Sequence, residues 1–432
     1  LNLHAGAFNV VTVSKIIGKI DEVIIRKVLD FIQEESDFLQ CKIEQVYNQF
    51  YFTNSGLEKE KINLKVISYL EKNTFIDIVK EELNKAIPSD KYLIRCLIVY
   101  ENKTLNYCYL ITTIHHAICD AISCINLHSK ILSYYRRIRD CEPLHHSYSE
   151  MLGSWTEFMP RHTLGIRGKI KNILFIAQIL TRAWFSPSEK LKQEKFVPPD
   201  ERECGIVQKR IDSTITRKLI AISRQELTTF HSTICAATLL AVANRIRKDR
   251  NLHAKINVSC KTFVDLRRRI KPSIPFEQLG HLVGSVDSFH CLSSSISFWD
   301  LAREVNQKIK QKLQREIYFP DFLLFRKKVV EHYINEPDEY PLTVGVSNVG
   351  DLKLEKDYGS FQLEEIWFIP SNPLFGGVLT VTVSTHDDKT ILNFVASIPS
   401  VSQTTIEHLA SDVTNCLESV IPSAVTISNL FK

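Results

Sequence analysis

The sequence TIHHAICDA, at residues 113–121, lies where a strand-like pattern gives way to a helix-like one. The residues before it are rich in β-branched and aromatic side chains, which is typical of strands. After it, apolar residues recur with roughly helical spacing. The pattern therefore predicts His115 and His116 on the turn that leaves a strand, and Asp120 near the N-terminus of the next helix.

These residue types allow two interpretations. A neutral imidazole can accept a proton near pH 7 from an alcohol or amine that attacks a thioester. Asp120 can cap helix N–H groups or pair with a cation that holds the loop. However, a histidine at a strand end is often a structural residue, and a short motif alone is weak evidence. The general-base hypothesis therefore depends on further segments of the chain.

Length and composition limit the class of protein. The 432 residues are enough for two domains. A net charge of +5, from 54 Lys and Arg against 49 Asp and Glu, is too small to predict a nucleic-acid partner, and no matching motif accompanies it. Eleven cysteines without a C-x-x-C pair indicate reduced thiols and a cytoplasmic location. The longest apolar run is far shorter than the ~20 residues of a membrane span, so no integral membrane segment is predicted.

The alternation of elements predicts an α/β fold in two similarly built halves. A stretch rich in proline, serine and charge at 186–202 predicts a linker. It separates an N-terminal domain at 1–185 from a C-terminal domain at 203–432. Other predicted elements are helical segments at 147–158 and 165–184, a hairpin across 387–389, and a last helix that begins near Thr404 with Glu407 completing a capping box.

The pattern His115-His116-x-x-x-Asp120 resembles the His-His-x-x-x-Asp-Gly motif of the CoA-dependent acyltransferase superfamily. This superfamily includes nonribosomal peptide condensation domains, alcohol acyltransferases, chloramphenicol acetyltransferase and polyketide-associated acyltransferases. Ala121 stands where the motif usually has glycine. If that position needs a positive φ, alanine strains the turn, whereas alanine costs nothing at a first helical residue.

A second segment, VDLRRR at 264–269 with the downstream LGHLVG at 279–284, resembles the Asp-Leu-Arg and Leu-Gly-Asn-x-x-Gly stretch of the same superfamily. His281 replaces the usual asparagine. The superfamily uses an arginine to hold the motif aspartate, so the resemblance implies that Arg267 is the partner of Asp120. The alternative is that the arginine run forms a solvated basic turn.

A third segment, VGVSNVG at 344–350, resembles the Ser-Asn-x-Gly segment of the alcohol acyltransferase and polyketide-associated branches. Asn348 or Ser347 could donate to a developing oxyanion or hold substrate. A simple Asn-x-Gly turn is the competing interpretation. The paired glycines of Phe375-Gly376-Gly377 are interpreted as structural.

In order and spacing, these segments are most similar to polyketide-associated acyltransferases of the phthiocerol dimycocerosyl transferase type and to alcohol acetyltransferases. The resemblance implies two chloramphenicol-acetyltransferase-like domains that form a V with an active-site tunnel along their interface. It implies transfer of an acyl group from a CoA or carrier-protein thioester to a hydroxyl, in lipid, polyketide or other secondary metabolism. His116 would be the base, with His115 and Asp120 orienting the catalytic loop. No metal or other cofactor is expected, and a monomer is expected.

Two alternatives stay open. One is an amide-forming condensation domain, which has the same architecture with an amine acceptor. The other is a catalytically silent homologue that binds acyl chains or docks proteins, which Ala121 and His281 suggest. Hydrolase, NTPase, dehydrogenase and metalloprotease functions lack their motifs in this sequence.

Overall fold

The computed structural model describes residues 8–47, 49–54, 60–68, 75–100, 107–153, 155–158, 166, 170, 181, 187–250, 253–316, 332 and 335–422. The described residues divide into two compact units. The first comprises Leu1–Phe158, Asp265–Val283 and Leu352–Asn372, and the second comprises Met159–Val264, Gly284–Asp351 and Pro373–Lys432.

Strands and helices alternate through both units, which confirms the predicted α/β class. The strands are β1 (Asn9–Ile17), β2 (Cys41–Val46), β3 (Gln49–Asn54), β4 (Asn63–Ser68), β5 (Ile94–Tyr100), β6 (Tyr107–His115), β7 (Glu203–Ile211), β8 (Ile256–Asp265), β9 (Val283–Leu292), β10 (Val344–Asp351), β11 (Gln362–Pro370), β12 (Leu379–His386) and β13 (Lys389–Ile398). The helices are α1 (Glu22–Glu34), α2 (Asp37–Gln40), α3 (Phe75–Asn84), α4 (Ala121–Arg139), α5 (Trp155–Phe158), α6 (Ser213–Gln225), α7 (Phe230–Lys248), α8 (Phe298–Gln314) and α9 (Gln403–Ser419).

The first unit is built on a five-stranded sheet with the strand order β11-β1-β6-β5-β4. β1 lies between β11 and β6 and is antiparallel to both, while β4 is parallel to β5. β1 and β6 are buried along nearly their whole length, which explains their long runs of β-branched and aromatic residues. β2 and β3 form a separate two-stranded sheet.

Two helices of this unit begin at aspartate caps, Asp21 for α1 and the predicted Asp120 for α4. The side chain of Asp21 accepts a hydrogen bond from the amide of Val23 at 2.7 Å and starts α1. Asp120 caps α4 in the same way through the amide of Ser123, at 2.8 Å. Because β6 ends at His115 and α4 begins at Ala121, the predicted strand, turn and helix at 113–121 are confirmed.

The second unit is built on a six-stranded sheet with the strand order β7-β13-β12-β10-β8-β9. The predicted hairpin across 387–389 is confirmed as β12 and β13, which pair antiparallel. Asp387 and Asp388 at its tip have φ values of 50° and 60°, the left-handed conformation of a tight two-residue hairpin loop. The buried helix α7 packs against α8 and α9 in this unit.

The last helix begins near Thr404 as predicted, but its N-terminal cap differs from the prediction. α9 begins at Gln403, and its cap is Ser402, whose hydroxyl accepts from the amide of Thr405 at 3.2 Å. The predicted capping box of Thr404 and Glu407 is therefore wrong. A serine with extended backbone just ahead of the helix was available, and this geometry places its hydroxyl on the third helical amide.

The two units also differ from the predicted division at 186–202. Residues 265–283 and 352–372, from the second half of the chain, lie in the first unit. The second of these segments carries β11, which completes the sheet beside β1, and the first contacts Asp120 through Arg267 and Leu282. Residues 187–202 are tied to the second unit: the amides of Glu189, Leu191 and Glu194 donate to its carbonyl oxygens at 2.7, 3.2 and 2.9 Å. This segment is therefore packed against one unit along part of its length.

Of the predicted helical segment at 147–158, only the short α5 is helical in the described residues. The segment at 165–184 lies outside the described residues, apart from three isolated positions. Within the described part of the chain, no single helix has the length and apolar composition of a membrane span. One pair, α6 with α7, reaches that length and composition only when taken together, with a bend of 97° between them.

Candidate active site

His115 ends β6 and is fully buried. Its amide donates to the carbonyl of Leu93 at 2.9 Å, and its Nδ1 accepts from the amide of Ala117 at 3.2 Å. Burial lowers the pKa of His115 to about 4, so the ring is neutral at pH 7. These contacts lie in the turn that carries His116.

His116 is half-buried, and its Nδ1 lies 2.7 Å from the carbonyl oxygen of Cys119. A carbonyl oxygen can only accept, so Nδ1 is the protonated nitrogen and donates. The other ring nitrogen, Nε2, therefore carries the lone pair. Burial lowers the pKa of His116 below its ordinary value, which keeps the ring neutral and able to accept a proton at pH 7.

Cys119 is buried, and burial raises its pKa well above the ordinary value. A thiol in this state is not a nucleophile at neutral pH, which supports packing as its role. Ala121 is the first helical residue of α4 and is not among the residues with positive φ. Alanine therefore costs nothing there, which answers the question raised by the missing glycine.

Asp120 is buried, and its carboxylate accepts four hydrogen bonds. One comes from the Ser123 amide, another from the Leu282 amide at 2.9 Å. The other two come from Arg267, whose Nη1 and Nη2 donate to Oδ2 and Oδ1 at 2.9 and 3.0 Å. A carboxylate has about four lone-pair positions, so all of them are occupied in this arrangement.

Arg267 is only 1% exposed and pairs with Asp120, as the resemblance implies. Its guanidinium also donates to Asp265 at 2.9 Å and to the Ser123 hydroxyl at 2.7 Å. The solvated-turn alternative is excluded for Arg267, although the next two arginines are exposed. The ion pair therefore joins the start of α4 to the 265–283 segment within the first unit.

Opposing effects act on the carboxyl of Asp120. Burial raises its pKa, but the Arg267 guanidinium and the hydrogen bonds from Arg267 and Ser123 outweigh burial, so the pKa lies below its ordinary value. Burial likewise disfavours the charged form of Arg267, yet Asp120 and Asp265 raise its pKa. Both groups are therefore charged at pH 7, and their pairing is complete.

Ser123 is a site residue that sequence reasoning missed. Its hydroxyl accepts from Arg267 and from the amide of Gly280, at 3.2 Å, and donates to the carbonyl of Gly280 at 2.9 Å. The available signal was its position three residues after a helix-capping aspartate. A polar side chain three residues after the capping residue lies on the same face of the helix as the capping side chain. Ser123 and Asp120 therefore both contact Arg267 and the backbone at 280–282.

His281 is the second residue whose role the sequence did not reveal. Its Nδ1 lies 3.3 Å from Nδ1 of His116, and the two rings meet edge to face with centroids 4.8 Å apart. The sequence marked His281 only as a departure from asparagine. Its position beside the histidine pair is a product of the contact between the 265–283 segment and α4.

Ser347 and Asn348 lie on β10 in the second unit and are half-buried. The side-chain oxygen of Asn348 accepts from the amide of Gly350 at 2.7 Å, and Gly350 has a φ of 79°. This supports the Asn-x-Gly turn. The side-chain NH₂ of Asn348 takes no part in this turn.

The paired glycines of 375–377 have the geometry expected of a structural segment. Gly377 has a φ of 72°, and a Cβ there would lie 2.5 Å from the carbonyl oxygen of Leu191. The amide of Leu191 donates to the carbonyl of Gly377 at 3.2 Å. Glycine is needed here because two backbone segments of the second unit come into contact.

In the described part of the chain, no cluster of three or more His, Cys, Asp or Glu could hold a metal ion.

Comparison with solved structures identifies the fold. The chain is similar to polyketide synthase associated protein 5 from Mycobacterium tuberculosis, with a TM-score of 0.71 and 14% identity over 97% of this chain and 95% of that one. It is similar to trichothecene 15-O-acetyltransferase from Fusarium sporotrichioides, with a TM-score of 0.76 and 11% identity over 96% and 92%. It is also similar to the first condensation domain of the calcium-dependent antibiotic synthetase, with a TM-score of 0.72 and 12% identity over 96% and 91%.

This chain therefore has the fold that these acyltransferase and condensation-domain structures share, which is the fold that the motif resemblance implies. More particularly, residues 201–356 match the family model described as phthiocerol/phthiodiolone dimycocerosyl transferase C-terminus. No curated protein sequence matches the chain with significance.

Proposed function

We propose that this protein is an acyltransferase that moves an acyl group from a CoA or carrier-protein thioester to a hydroxyl and forms an ester. His116 is its general base. One observation carries the proposal: Nδ1 of His116 donates to the Cys119 carbonyl, which leaves a neutral Nε2 to accept a proton. The similarity to the dimycocerosyl transferase family supports an acyl substrate.

In the proposed reaction, Nε2 of His116 takes the proton of the acceptor hydroxyl as its oxygen attacks the thioester carbonyl. The new C–O bond forms, the C–S bond breaks, and the proton passes from His116 to the leaving thiolate. The negative charge of Asp120 favours the protonated form of His116. It therefore stabilises the stage of the reaction at which His116 holds the proton of the acceptor hydroxyl. The NH₂ of Asn348 or the hydroxyl of Ser347 donates to the oxyanion in this proposal. The chemistry needs no metal or further cofactor.

The structure favours an active enzyme over the silent homologue. The two features that suggested a silent protein were Ala121 and His281. Ala121 fits a helix start without strain, and the Arg267–Asp120 pair that holds the loop is complete. An amide-forming condensation reaction is the second candidate, because the similar structures include a condensation domain.

The test is release of free thiol from acyl-CoA esters of increasing chain length, with a mixed pool of alcohols and amines as acceptors. We expect thiol release that requires an acceptor, and an ester product identified by mass spectrometry. An amide product would replace the ester proposal with the condensation candidate. If CoA esters and carrier-bound thioesters both give no acceptor-dependent release, the enzymatic proposal is wrong.

The pH dependence of the reaction follows from the burial of His116. Because burial lowers the pKa of His116 from its ordinary 6.5, the base stays neutral in mildly acidic solution. We expect kcat/KM to hold its value as the pH falls to about 6.5, and to decrease only at lower pH. The measurement is kcat/KM from about pH 5 to 8, with each sample returned to pH 7 to check for irreversible loss. An acidic limb centred above pH 6.5 would contradict the expectation.

A further inference from the structure

His281 approaches His116 at Nδ1, the nitrogen that does not act on substrate in the proposed function. The two Nδ1 atoms are 3.3 Å apart, and the rings are inclined by 71°. His281 is held in place from both sides along the chain. The Gly280 amide donates to Ser123, and the Leu282 amide donates to Asp120. The same contacts that secure the catalytic loop therefore fix the position of this second imidazole.

The acceptors around His116 determine where the hydrogens lie. Nδ1 of His116 must carry a hydrogen, because it lies 2.7 Å from the Cys119 carbonyl. Nδ1 of His281 cannot point a second hydrogen at the same nitrogen. It therefore presents its lone pair to the Nδ1–H of His116, and the ring hydrogen of His281 is on Nε2. The Nδ1–H of His116 thus has two acceptors, one carbonyl oxygen and one imidazole nitrogen.

We propose that His281 is a positioning residue for His116. Its Nδ1 lone pair shares the Nδ1–H of His116 with the Cys119 carbonyl, and so holds Nε2 of His116 as the unprotonated nitrogen that faces the reaction. This inference rests on the proposed function and extends it to a residue at which the chain departs from the asparagine of the motif that it resembles. His281 acts through His116 and is not itself required to touch substrate.

The arrangement matters most when His116 has accepted a proton. An imidazolium donates more strongly than a neutral ring, so a second acceptor at Nδ1 stabilises it. Around the pair, His115 is neutral and the Cys119 thiol is protonated. Asp120 is the negative charge near the two rings, and Arg267 partly neutralises that charge. The lone pair of His281 Nδ1 therefore adds to the stabilisation that Asp120 gives to protonated His116.

The test compares two substitutions at position 281. His281→Leu removes the acceptor, whereas His281→Asn keeps an oxygen or amide group near the position of Nδ1. For His281→Leu we expect the pKa of His116 to fall by about one unit and kcat to fall about 10-fold, since a hydrogen bond to a charged group is lost. For His281→Asn we expect both quantities to stay near the wild-type values. Thermal unfolding of both variants checks that the protein still folds.

The first readout is the ¹⁵N chemical shifts of the His116 ring, measured by histidine-selective labelling in the whole protein without substrate. It reports the tautomer and the pKa directly, so it stands even if the transfer reaction proves to be different. The second is the acidic limb of kcat/KM. The proposal would be overturned if the His281→Leu protein is folded and shows the wild-type ¹⁵N chemical shifts of His116 and the wild-type acidic limb of kcat/KM. An equal loss in both variants would also overturn it, because it would show that ring shape matters rather than the acceptor.

Discussion

Replacing His116 with alanine is expected to lower kcat for acyl transfer by about 10²- to 10⁴-fold, the range for loss of a general base. The structure supplies the reason. Nδ1 of His116 is committed to the Cys119 carbonyl, so Nε2 is the nitrogen that can accept the hydroxyl proton. KM should change little, because the base acts mainly in the transition state.

The matched control is His145→Ala. His145 is an exposed histidine of the same unit, and its replacement is expected to leave kcat unchanged. Steady-state thiol release at pH 7 measures both variants, with thermal unfolding to confirm that the His116 variant is folded. If His116→Ala retains wild-type kcat with an acceptor-dependent product, His116 is not the base and the mechanism must be reassigned.

Replacing Arg267 with methionine is expected to destabilise the protein by about 3–5 kcal/mol, the usual cost of removing one partner of a buried ion pair. Methionine fills much of the arginine volume but leaves the buried Asp120 carboxylate with only the amides of Ser123 and Leu282. The hydrogen bonds of Arg267 to Asp265 and Ser123 are lost as well. The start of α4 is then no longer tied to the 265–283 segment by a charged contact.

Urea unfolding followed by circular dichroism measures the loss. The control is Arg136→Met in the same unit, where the partner Glu355 is 2.6 Å away but both side chains are partly exposed, at 32% and 46%. Its cost should stay below about 1 kcal/mol. The double variant Asp120→Asn with Arg267→Met should recover part of the stability, because it leaves no buried charge. A loss of less than about 1 kcal/mol for Arg267→Met would contradict this account of the loop.

The sign of the pH effect gives an independent check on the same pair. In the wild type the pKa of Asp120 lies below its ordinary value, so its stabilisation is present above about pH 4 and is lost as the pH falls further. Without Arg267, burial still raises the pKa of Asp120, and the charge and hydrogen bonds of Arg267 that outweighed burial are gone, so we expect that pKa to lie above its ordinary value. The variant then gains stability from protonation as the pH falls. The stability gap between wild type and variant should therefore be largest near neutrality and shrink towards pH 4.

Much of the first unit could be predicted from local pattern. The strand, turn and helix at 113–121 follow from a change in hydrophobic period and from an aspartate placed to cap the next helix. The caps at Asp21 and Asp120 are local hydrogen bonds, so they are readable from a few residues. The predicted cap of α9 was wrong because two serine or threonine candidates lie close together, and the backbone geometry makes Ser402 the cap.

The division into units could not be read in the same way. Composition marks 186–202 as a boundary, yet β11 crosses back to pair with β1, and the 265–283 segment lies against α4. Strand pairing between residues some 350 positions apart leaves no signal in local periodicity. It depends on which exposed sheet edge is free to take another strand.

The sequence by itself determined the chemistry available to this protein. It provided a histidine pair on a strand end, a capping aspartate, and motifs whose resemblance implied an arginine partner 147 positions away. Only the tertiary structure decided which nitrogen of His116 is available, because that depends on the Cys119 carbonyl. It also decided that Ser123 and His281 belong to the site. Their roles come from contacts between segments distant in the chain, and such contacts follow from packing that local sequence does not encode.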